Sequence, residues 1–443
     1  MESPTPPRDH LIDAARILSV LAVVVYHCLF FEVSLVGGEL VVTRWIPGGG
    51  LLVAGWFVML LPVFFVAGGF AHATASPPSS ATSPPSSATP PTTPTRGAGL
   101  AHHLARRGRR LAGPLALFVT ALAAVSTFAA WLPGTPPEIP YPGTTGLGWL
   151  ELATTVSRDY ADFLWFITVY LVLVMLAPLM VRAHDSWGLR ALAALAVAAA
   201  VADWLAVDVD PRFRAANWVL VWLLCHQFGV AYQRGWFRRG PAWVPWVTLT
   251  TAAAGVVALV TVAGYPLSPI TNYYPPTLAI ALLALAQASV LGLLHRAGVM
   301  RDVAPRTARR FGILGAHLVT VYLWQAACII LAILGLTSVA RLLPALAPYA
   351  VSRVAVVVAS FAVIVAVVPW IARVERRLMP EGAARSARFG VAGFALLLAG
   401  TALLWQNGAV VHPERPWSTA GVLLVWTAAV IRHGQTRTRS IQE

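Results

Sequence analysis

Twelve long apolar segments dominate the sequence, and each is about as long as a helix that crosses a bilayer. They are centred near residues 23, 61, 121, 173, 197, 225, 253, 286, 324, 361, 396 and 424. A transmembrane helix needs about 20 predominantly apolar residues. Of the 443 residues, 58% are hydrophobic and only 11% are charged, a balance that excludes a soluble globular domain. The sequence therefore predicts an all-α, polytopic transmembrane helix bundle of about 12 spans.

The charged residues predict how this bundle is oriented. All 32 basic residues are arginine; with the N-terminus inside, 24 fall in inner segments, 7 in outer loops, and Arg16 within the first span. Because basic residues concentrate in cytoplasmic segments, both termini are predicted in the cytoplasm. The arginine-only, alanine-rich composition favours a bacterial plasma membrane as the location. The net charge of +14 is spread over all the inner segments, which argues against a nucleic-acid partner.

Two further features limit where chemistry can occur. The three cysteines, Cys28, Cys225 and Cys328, all lie within predicted spans, in a pattern that fits neither a disulfide framework nor a metal site. Residues 76–95 contain a tandem Pro-, Ser- and Thr-rich repeat, which predicts an extended cytoplasmic linker without a core. The other loops are short, so any chemistry is expected within the helix bundle.

Arg16 and His27 lie on one face of the first predicted span. Eleven residues make about three helical turns, so the two side chains differ by about 20° in azimuth and about 16 Å along the axis. Asp13, one turn before Arg16, is placed to pair with it. Arg16 can instead extend to the lipid headgroups, and His27 can be a packing residue bonded to another helix. Ionisable groups at the depth of His27 are nevertheless rare, and they usually face a cavity.

A second basic group precedes the third span, in the stretch HHLARRGRRLAGP at residues 102–114. Such residues can simply anchor the inner end of the span. Alternatively, because guanidinium groups bind phosphate bidentately, the stretch can form a phosphate-binding mouth. Arg16 is expected to open onto the same side of the membrane, which favours the second interpretation.

These patterns resemble the acyltransferase-3 family of integral-membrane O-acyltransferases. The specific part is Asp13, Arg16 and His27 in the first span, followed by Arg107 and Arg110 in an R-x-x-R sequence before a proline. Four further motifs also occur in family order: LPVFFVAGGF at 61–70, FLWFITVYLVLVMLAP at 163–178, VYLWQAACII at 321–330 and the closing VERRLMP at 374–380. The resemblance covers roughly residues 9–380, or about ten spans.

The resemblance divides the chain into four parts. Residues 1–72 carry the first two spans with the arginine and histidine motif, and residues 73–100 form the Pro-, Ser- and Thr-rich linker. Residues 101–380 complete the ten-span acyltransferase core, and residues 381–443 add two C-terminal spans and a basic tail. The two added spans lie outside the family pattern, so the resemblance does not assign them a role.

Family members normally transfer an acyl group from a cytoplasmic coenzyme A thioester to a hydroxyl. The resemblance implies an enzyme that moves an acyl group, with acetyl expected first, from acyl-CoA to a cell-envelope carbohydrate, glycolipid or glycosylated metabolite, without a metal. It implies catalytic roles for His27, as general base, and for Arg16. Arg107 and Arg110 would bind the phosphates of the donor. A covalent acyl-histidine intermediate is the second mechanism considered.

Three positions depart from the family pattern. Gly68 stands where the second span usually has a serine, Phe163 stands where many relatives have a histidine before LWF, and Gln325 replaces the histidine of YLWH. An amide can donate and accept hydrogen bonds, but it does not titrate near neutral pH. These positions therefore bear on substrate choice and activity, while the first-span arginine and histidine are intact.

Four polar residues are expected to line the reaction cavity: Asp13, His226, His317 and Gln325. The two histidines can equally be hydrogen-bonded packing residues. Two rival classes stay open, namely a multi-pass transporter or flippase and a catalytically inactive scaffold for envelope enzymes. Transport has little support, because no repeat relates the two halves and, apart from Asp13 at the start of the first span, the acids assigned to the spans are Glu32 and Asp203, near outer ends.

Overall fold

The computed structural model describes residues 8–36, 39–45, 47–76, 96–137, 144–378 and 387–437. The predicted linker at 76–95, apart from Ser76, and residues 438–443 of the tail lie outside them. The elements in chain order are α1 (His10–Phe30), β1 (Phe31–Val36), β2 (Glu39–Arg44), α2 (Gly50–Val58), α3 (Leu61–Thr74), α4 (Arg96–Ala130), α5 (Trp149–Ala161), α6 (Leu164–Trp187), α7 (Leu189–Asp208), α8 (Asn217–Gln233), α9 (Val244–Thr261), α10 (Leu278–Arg296), α11 (Pro305–Leu342), α12 (Ala347–Ala350), α13 (Arg353–Leu378), α14 (Ala387–Asn407) and α15 (Pro416–Arg437). Short 3-10 turns at Pro211–Ala216 and Pro344–Leu346 precede α8 and α12.

Ten helical stretches among the described residues are long and apolar enough to cross a membrane. They are α1, α2 with α3, the part of α4 from Arg110, α6, α7, α9, α10, α11, α13, and the part of α14 from Phe389. The prediction of an all-α polytopic bundle is confirmed, and the protein is a multi-pass membrane protein. The other two of the twelve predicted centres fall on α8, which has 17 residues, and on α15, whose apolar part is Pro416–Ile431. The apolar parts of both have fewer residues than α9, which at 18 residues is the shortest of the ten.

A β-hairpin follows the first helix, where the all-α prediction anticipated no strands. Phe31–Val36 pairs antiparallel with Glu39–Arg44. Both strands are rich in β-branched residues, and two glycines separate them in the sequence, a pattern typical of hairpins. Glu32 forms an ion pair of 3.1 Å with Arg353, whose guanidinium lies 4.6 Å from the centre of the Trp45 ring. The start of α13 is thereby fastened to the hairpin.

The second span is a broken helix. α2 ends at Val58 and α3 begins at Leu61, with Pro62 in its first turn. Proline has no N–H with which to continue the hydrogen bonds of a preceding helix. Between the two helices, the carbonyl of Met59 accepts a hydrogen bond of 2.7 Å from Nε2 of Gln287, on α10. Because an unpaired backbone group is costly in hydrocarbon, Gln287 compensates for the break.

The described chain forms two compact units, each drawn from three parts of the sequence. The first lies within residues 1–23, 47–89 and 175–318, and the second within residues 24–46, 90–174 and 319–443. In the first unit, α3 and α8 pack backbone to backbone. A Cβ atom on Gly69 would lie 1.8 Å from the carbonyl oxygen of His226, and one on Gly229 would lie 1.8 Å from that of Val66. Only glycine at these two positions permits such an approach.

The second unit has an apolar core between the end of α1, β1, α11 and α13. Its buried members are Val24, Cys28, Val33, Cys328, Ile329, Ile333, Val356, Ile364 and Val368. In the same unit α14 and α15 pack against α4, and α14 also packs against α5. His27 lies between two of the core residues in the sequence, so the packing of this core sets where its side chain can be.

Candidate active site

His27 lies in the last turn of α1, partly buried at the edge of the second unit's core. Its Nδ1 is 3.1 Å from Oε1 of Gln325, on α11. Nε2 of Gln325 donates a hydrogen bond of 3.0 Å to the carbonyl of Tyr322, and this network assigns the orientation of the amide. Because an amide oxygen only accepts, Nδ1 of His27 carries a proton and donates it. In the neutral ring Nε2 is then the proton acceptor, and no partner of Nε2 occurs among the described residues.

Phe163 fixes the His27 ring from the corner between α5 and α6. The two ring centres are 4.8 Å apart, with planes at 77°, so the contact is edge to face. The hydroxyl of Tyr322 donates a hydrogen bond of 2.9 Å to the carbonyl of Phe163. One turn of α11 therefore positions the His27 ring in two ways. Tyr322 binds the backbone of Phe163, which contacts the ring, and Gln325 binds the imidazole directly. Sequence reasoning singled out Phe163 only as a departure from a pattern and Gln325 also as a cavity-lining residue, and it missed Tyr322.

Arg16 and Asp13 belong to the first unit. Nη2 of Arg16 lies 3.7 Å from Oδ1 of Asp13, which also forms an ion pair with Arg8. Gly315 on α11 leaves space for the guanidinium, because a Cβ atom there would lie 3.0 Å from Nη2 of Arg16. Nε of Arg16 is buried and has no hydrogen-bond partner within the described ranges. Asp13 thus pairs with the guanidinium of Arg16, as the spacing predicted, while the Nε–H of Arg16 is left without a partner among the described residues.

Arg107 and Arg110 lie one turn apart on α4, in the second unit. Arg107 is partly buried, and its Nε has no hydrogen-bond partner in the part of the chain that the structure describes. Arg110 is exposed. Neither has an ion-pair partner among those residues. Two arginines one turn apart, without a carboxylate partner among the described residues, are suited to bind a phosphorylated ligand.

His226, which is 1% exposed, forms a buried pair with His72. Nε2 of His226 on α8 lies 2.9 Å from Nδ1 of His72 on α3, so one ring donates its proton to the other. Gly69 and Gly229 lie one turn away on the same two helices, and their close contact brings the histidines together. His72 was not identified from the sequence, because its partner lies 154 residues away.

His317 makes its hydrogen bond within its own helix. Its Nδ1 lies 2.7 Å from the carbonyl oxygen of Ile313, one turn earlier in α11. A cavity of about 630 Å³ in the first unit has an almost wholly apolar lining from α1, α2, α3, α9 and α10, and neither His317 nor any other predicted site residue contributes to it. Among the described residues, no group of three or more His, Cys, Asp or Glu side chains could hold a metal ion.

Comparison with protein families decides the class. Residues 9–373 match the sequence profile of the acyltransferase-3 family, described as an acyltransferase domain. The chain belongs to the acyltransferase-3 family. No curated protein and no solved structure matches it. As an acyltransferase-3 protein it is a membrane acyltransferase, and the matched range includes His27 and the arginines of α4. It ends within α13, so α14 and α15 lie beyond it.

Proposed function

We propose that this acyltransferase-3 protein transfers an acyl group, with acetyl expected first, from acyl-CoA to a hydroxyl of a cell-envelope carbohydrate, glycolipid or glycosylated metabolite. The hydrogen bond between His27 and Gln325 is the observation that carries the proposal. It directs the proton of the neutral imidazole to Nδ1 and leaves Nε2 as a base. A histidine with one ring nitrogen free is suited to take a proton from a hydroxyl during attack on a thioester.

The proposed reaction is a direct transfer. The acceptor oxygen attacks the thioester carbonyl while its proton moves to Nε2 of His27, and a C–O bond forms. The C–S bond of the tetrahedral intermediate then breaks, and the coenzyme A sulfur takes the proton from Nε2. Gln325 accepts a hydrogen bond from Nδ1 throughout, which stabilises the imidazolium that forms between the two steps.

The donor would be held through its phosphates by Arg107 and Arg110. Support comes from their position one turn apart on α4 and from the lack of an ion-pair partner for either among the described residues. Charge-assisted hydrogen bonds from guanidinium to phosphate are among the strongest that proteins make. The catalytic part of Arg16 stays a prediction drawn from the sequence, as do the cavity-lining roles of Asp13, His226 and His317.

The transporter alternative is not supported by either of the two acids that the sequence analysis assigned to the spans. The carboxylate of Asp203, on α7, accepts hydrogen bonds from Asn217 at 3.0 Å, Tyr265 at 2.9 Å and the backbone N–H of Leu278 at 2.8 Å. Asp203 is 2% exposed, and these hydrogen bonds join α7 to three other segments of the first unit. Glu32 is paired with Arg353 in the hairpin. Neither acid is placed to carry a coupling ion in the manner of a secondary transporter.

The proposal is tested with purified protein in lipid nanodiscs. Wild type is incubated with a panel of acyl-CoA thioesters and envelope carbohydrates, and free thiol and acyl ester are measured together. We expect thiol and ester to appear in equal amounts. A carrier or an inactive scaffold would release no thiol under these conditions, and that outcome would contradict the proposal.

The donor site is tested by substitution. Arg107→Ala and Arg110→Ala are each expected to raise KM for acyl-CoA by roughly tenfold, because each removes a charge-assisted contact. Arg182→Ala, which removes an exposed arginine of α6, is the matched control and should leave KM unchanged. Unchanged KM in both α4 variants would remove these arginines from the donor site.

A further inference from the structure

The two C-terminal helices are built onto the acyltransferase domain by specific hydrogen bonds. The loop between α14 and α15 begins at Gly408, and the backbone N–H of Ala409 donates a bond of 2.8 Å to Oγ of Ser157, on α5. Oγ of Ser126, on α4, donates a bond of 3.0 Å to the carbonyl of Ala409, and Thr127 accepts one of 2.9 Å from the N–H of Val411. The hairpin α14–α15 is therefore docked on α4 and α5 at defined atoms.

Two glycines allow this docking to be close. A Cβ atom on Gly390, in α14, would lie 2.3 Å from Cβ of Ala105 on α4. Gly408 has a φ of +76°, and a Cβ atom there would lie 3.0 Å from the backbone nitrogen of Arg158. Because another residue would clash at the first position and be strained at the second, the sequence is adapted to this contact.

The same hairpin reaches the corner that holds His27. Nε1 of Trp405, in the last turns of α14, donates a hydrogen bond of 3.1 Å to Oδ1 of Asp162. Asp162 forms the corner between α5 and α6, since its N–H binds the carbonyl of Arg158 and its own carbonyl accepts from Trp165. The next residue is Phe163, whose ring contacts His27 at 4.8 Å. One continuous set of contacts thus runs from α14 to the imidazole.

We propose that the C-terminal hairpin orients His27, and that Trp405 does this by holding the corner at Asp162 and Phe163. The inference rests on the proposed function of His27. Trp405 acts on the imidazole through Asp162 and Phe163, so it is a positioning residue. The hairpin lies beyond the range that matches the family, and this gives the two added helices a role in the reaction of this chain.

The physical reason is the geometry of proton transfer. Gln325 fixes the ring of His27 at Nδ1, but one hydrogen bond still permits the ring to rotate about that contact. The ring of Phe163 limits this rotation and so aims Nε2. Loss of the bond from Trp405 to Asp162 would let the corner shift, and small errors in the aim of a catalytic group reduce the rate more than they reduce binding.

The experiment compares two tryptophans of the same hairpin. Trp405→Phe removes one indole N–H that binds Asp162, while Trp426→Phe removes one that binds Oγ1 of Thr120, on α4, at 3.0 Å. Each keeps an aromatic ring and loses one exposed hydrogen bond, so equal thermal stability is expected. We expect kcat to fall by roughly three- to tenfold in Trp405→Phe, with KM for acyl-CoA unchanged, and Trp426→Phe to match wild type.

Two substitutions of Asp162 test the same hydrogen bond from its acceptor side. Asp162→Asn keeps an oxygen that can accept from Trp405 and should retain the wild-type kcat, whereas Asp162→Val should lower it at least as far as Trp405→Phe does. In the double variant, Trp405→Phe should add no loss to that of Asp162→Val, because the bond between the two side chains is already absent. An additive loss, or equal falls in Trp405→Phe and Trp426→Phe, would overturn the positioning role.

The proposed function is checked in the same assay with His27→Ala. If His27→Ala is inactive and Trp405→Phe keeps the wild-type kcat, the inference on the hairpin is wrong while the function of His27 stands. If His27→Ala is as active as wild type, the function of His27 is wrong, and the inference that depends on it is overturned as well.

Discussion

The amide of Gln325 differs from a histidine in one respect that matters for its neighbour. It cannot gain or lose a proton near neutral pH, so its Oε1 remains an acceptor whatever the protonation state of His27. A histidine at position 325 could present either a donor or an acceptor to Nδ1. With glutamine there, the neutral ring of His27 is held as the tautomer with its proton on Nδ1, which is the form that offers Nε2 as a base.

Gln325→Leu should therefore cost activity, because it removes the acceptor for Nδ1 and permits the other tautomer. We expect kcat to fall by about tenfold or more, while Gln325→Glu, which keeps an acceptor oxygen, should stay closer to wild type. Gln287→Leu is the matched control, since Gln287 binds the backbone of Met59 in the other unit. Steady-state thiol release at equal protein levels checks this, and wild-type turnover in Gln325→Leu would contradict it.

Spacing along one helix was enough to predict the pair of Asp13 and Arg16, because local geometry alone sets that contact. The contact of His27 with Gln325 joins residues 298 positions apart. A single sequence contains no signal for such a contact, since it depends on how separate helices pack. The same holds for His72 and His226, which meet only because two glycines let their helices touch.

At the scale of elements, the close contact between α3 and α8 is the most demanding feature of the first unit. Gly69 and Gly229 each face a backbone carbonyl at a distance that admits no side chain. Small residues at such positions are typical of helix pairs in membranes, where close van der Waals packing drives association. A methyl group on the adjacent Gly68 would have no atom of the described residues within 4 Å outside its own stretch of helix.

These adjacent glycines give a controlled test of that packing. Gly69→Ala should lower the free energy of unfolding by about 1–3 kcal/mol, because the added methyl group meets the carbonyl of His226. Gly68→Ala should be close to neutral, since its methyl group enters open space. Thermal unfolding of the purified variants in one detergent measures both. Equal unfolding midpoints for the two variants would show that the helices are not packed as described.

Hydropathy predicted most of the spanning helices, because length and apolar composition suffice to identify a span. It did not predict the break at Pro62, where Gln287 replaces a lost backbone bond, nor the hairpin of β1 and β2. The hairpin corresponds to the alternation in FEVSLV and the adjacent glycines at 37 and 38, a pattern that hydropathy over the length of a span does not detect.

At the scale of the whole molecule, the distribution of arginine makes a prediction about orientation. With 24 arginines in one set of connecting segments and 7 in the other, both termini are expected in the cytoplasm. Green fluorescent protein fused to either terminus should fluoresce, and alkaline phosphatase fused there should be inactive. A phosphatase inserted at Glu414, in the loop between α14 and α15, should be active. Activity of phosphatase at a terminus would reverse the orientation.

The most direct test of the central claim is the rate of thiol release from acyl-CoA by wild type and by His27→Ala, at matched protein levels and with a carbohydrate acceptor present. The proposed mechanism predicts that wild type releases thiol together with acyl ester and that His27→Ala releases neither above background, since the variant has no base at Nε2. Equal rates in the two proteins would contradict the mechanism and remove His27 from the chemistry.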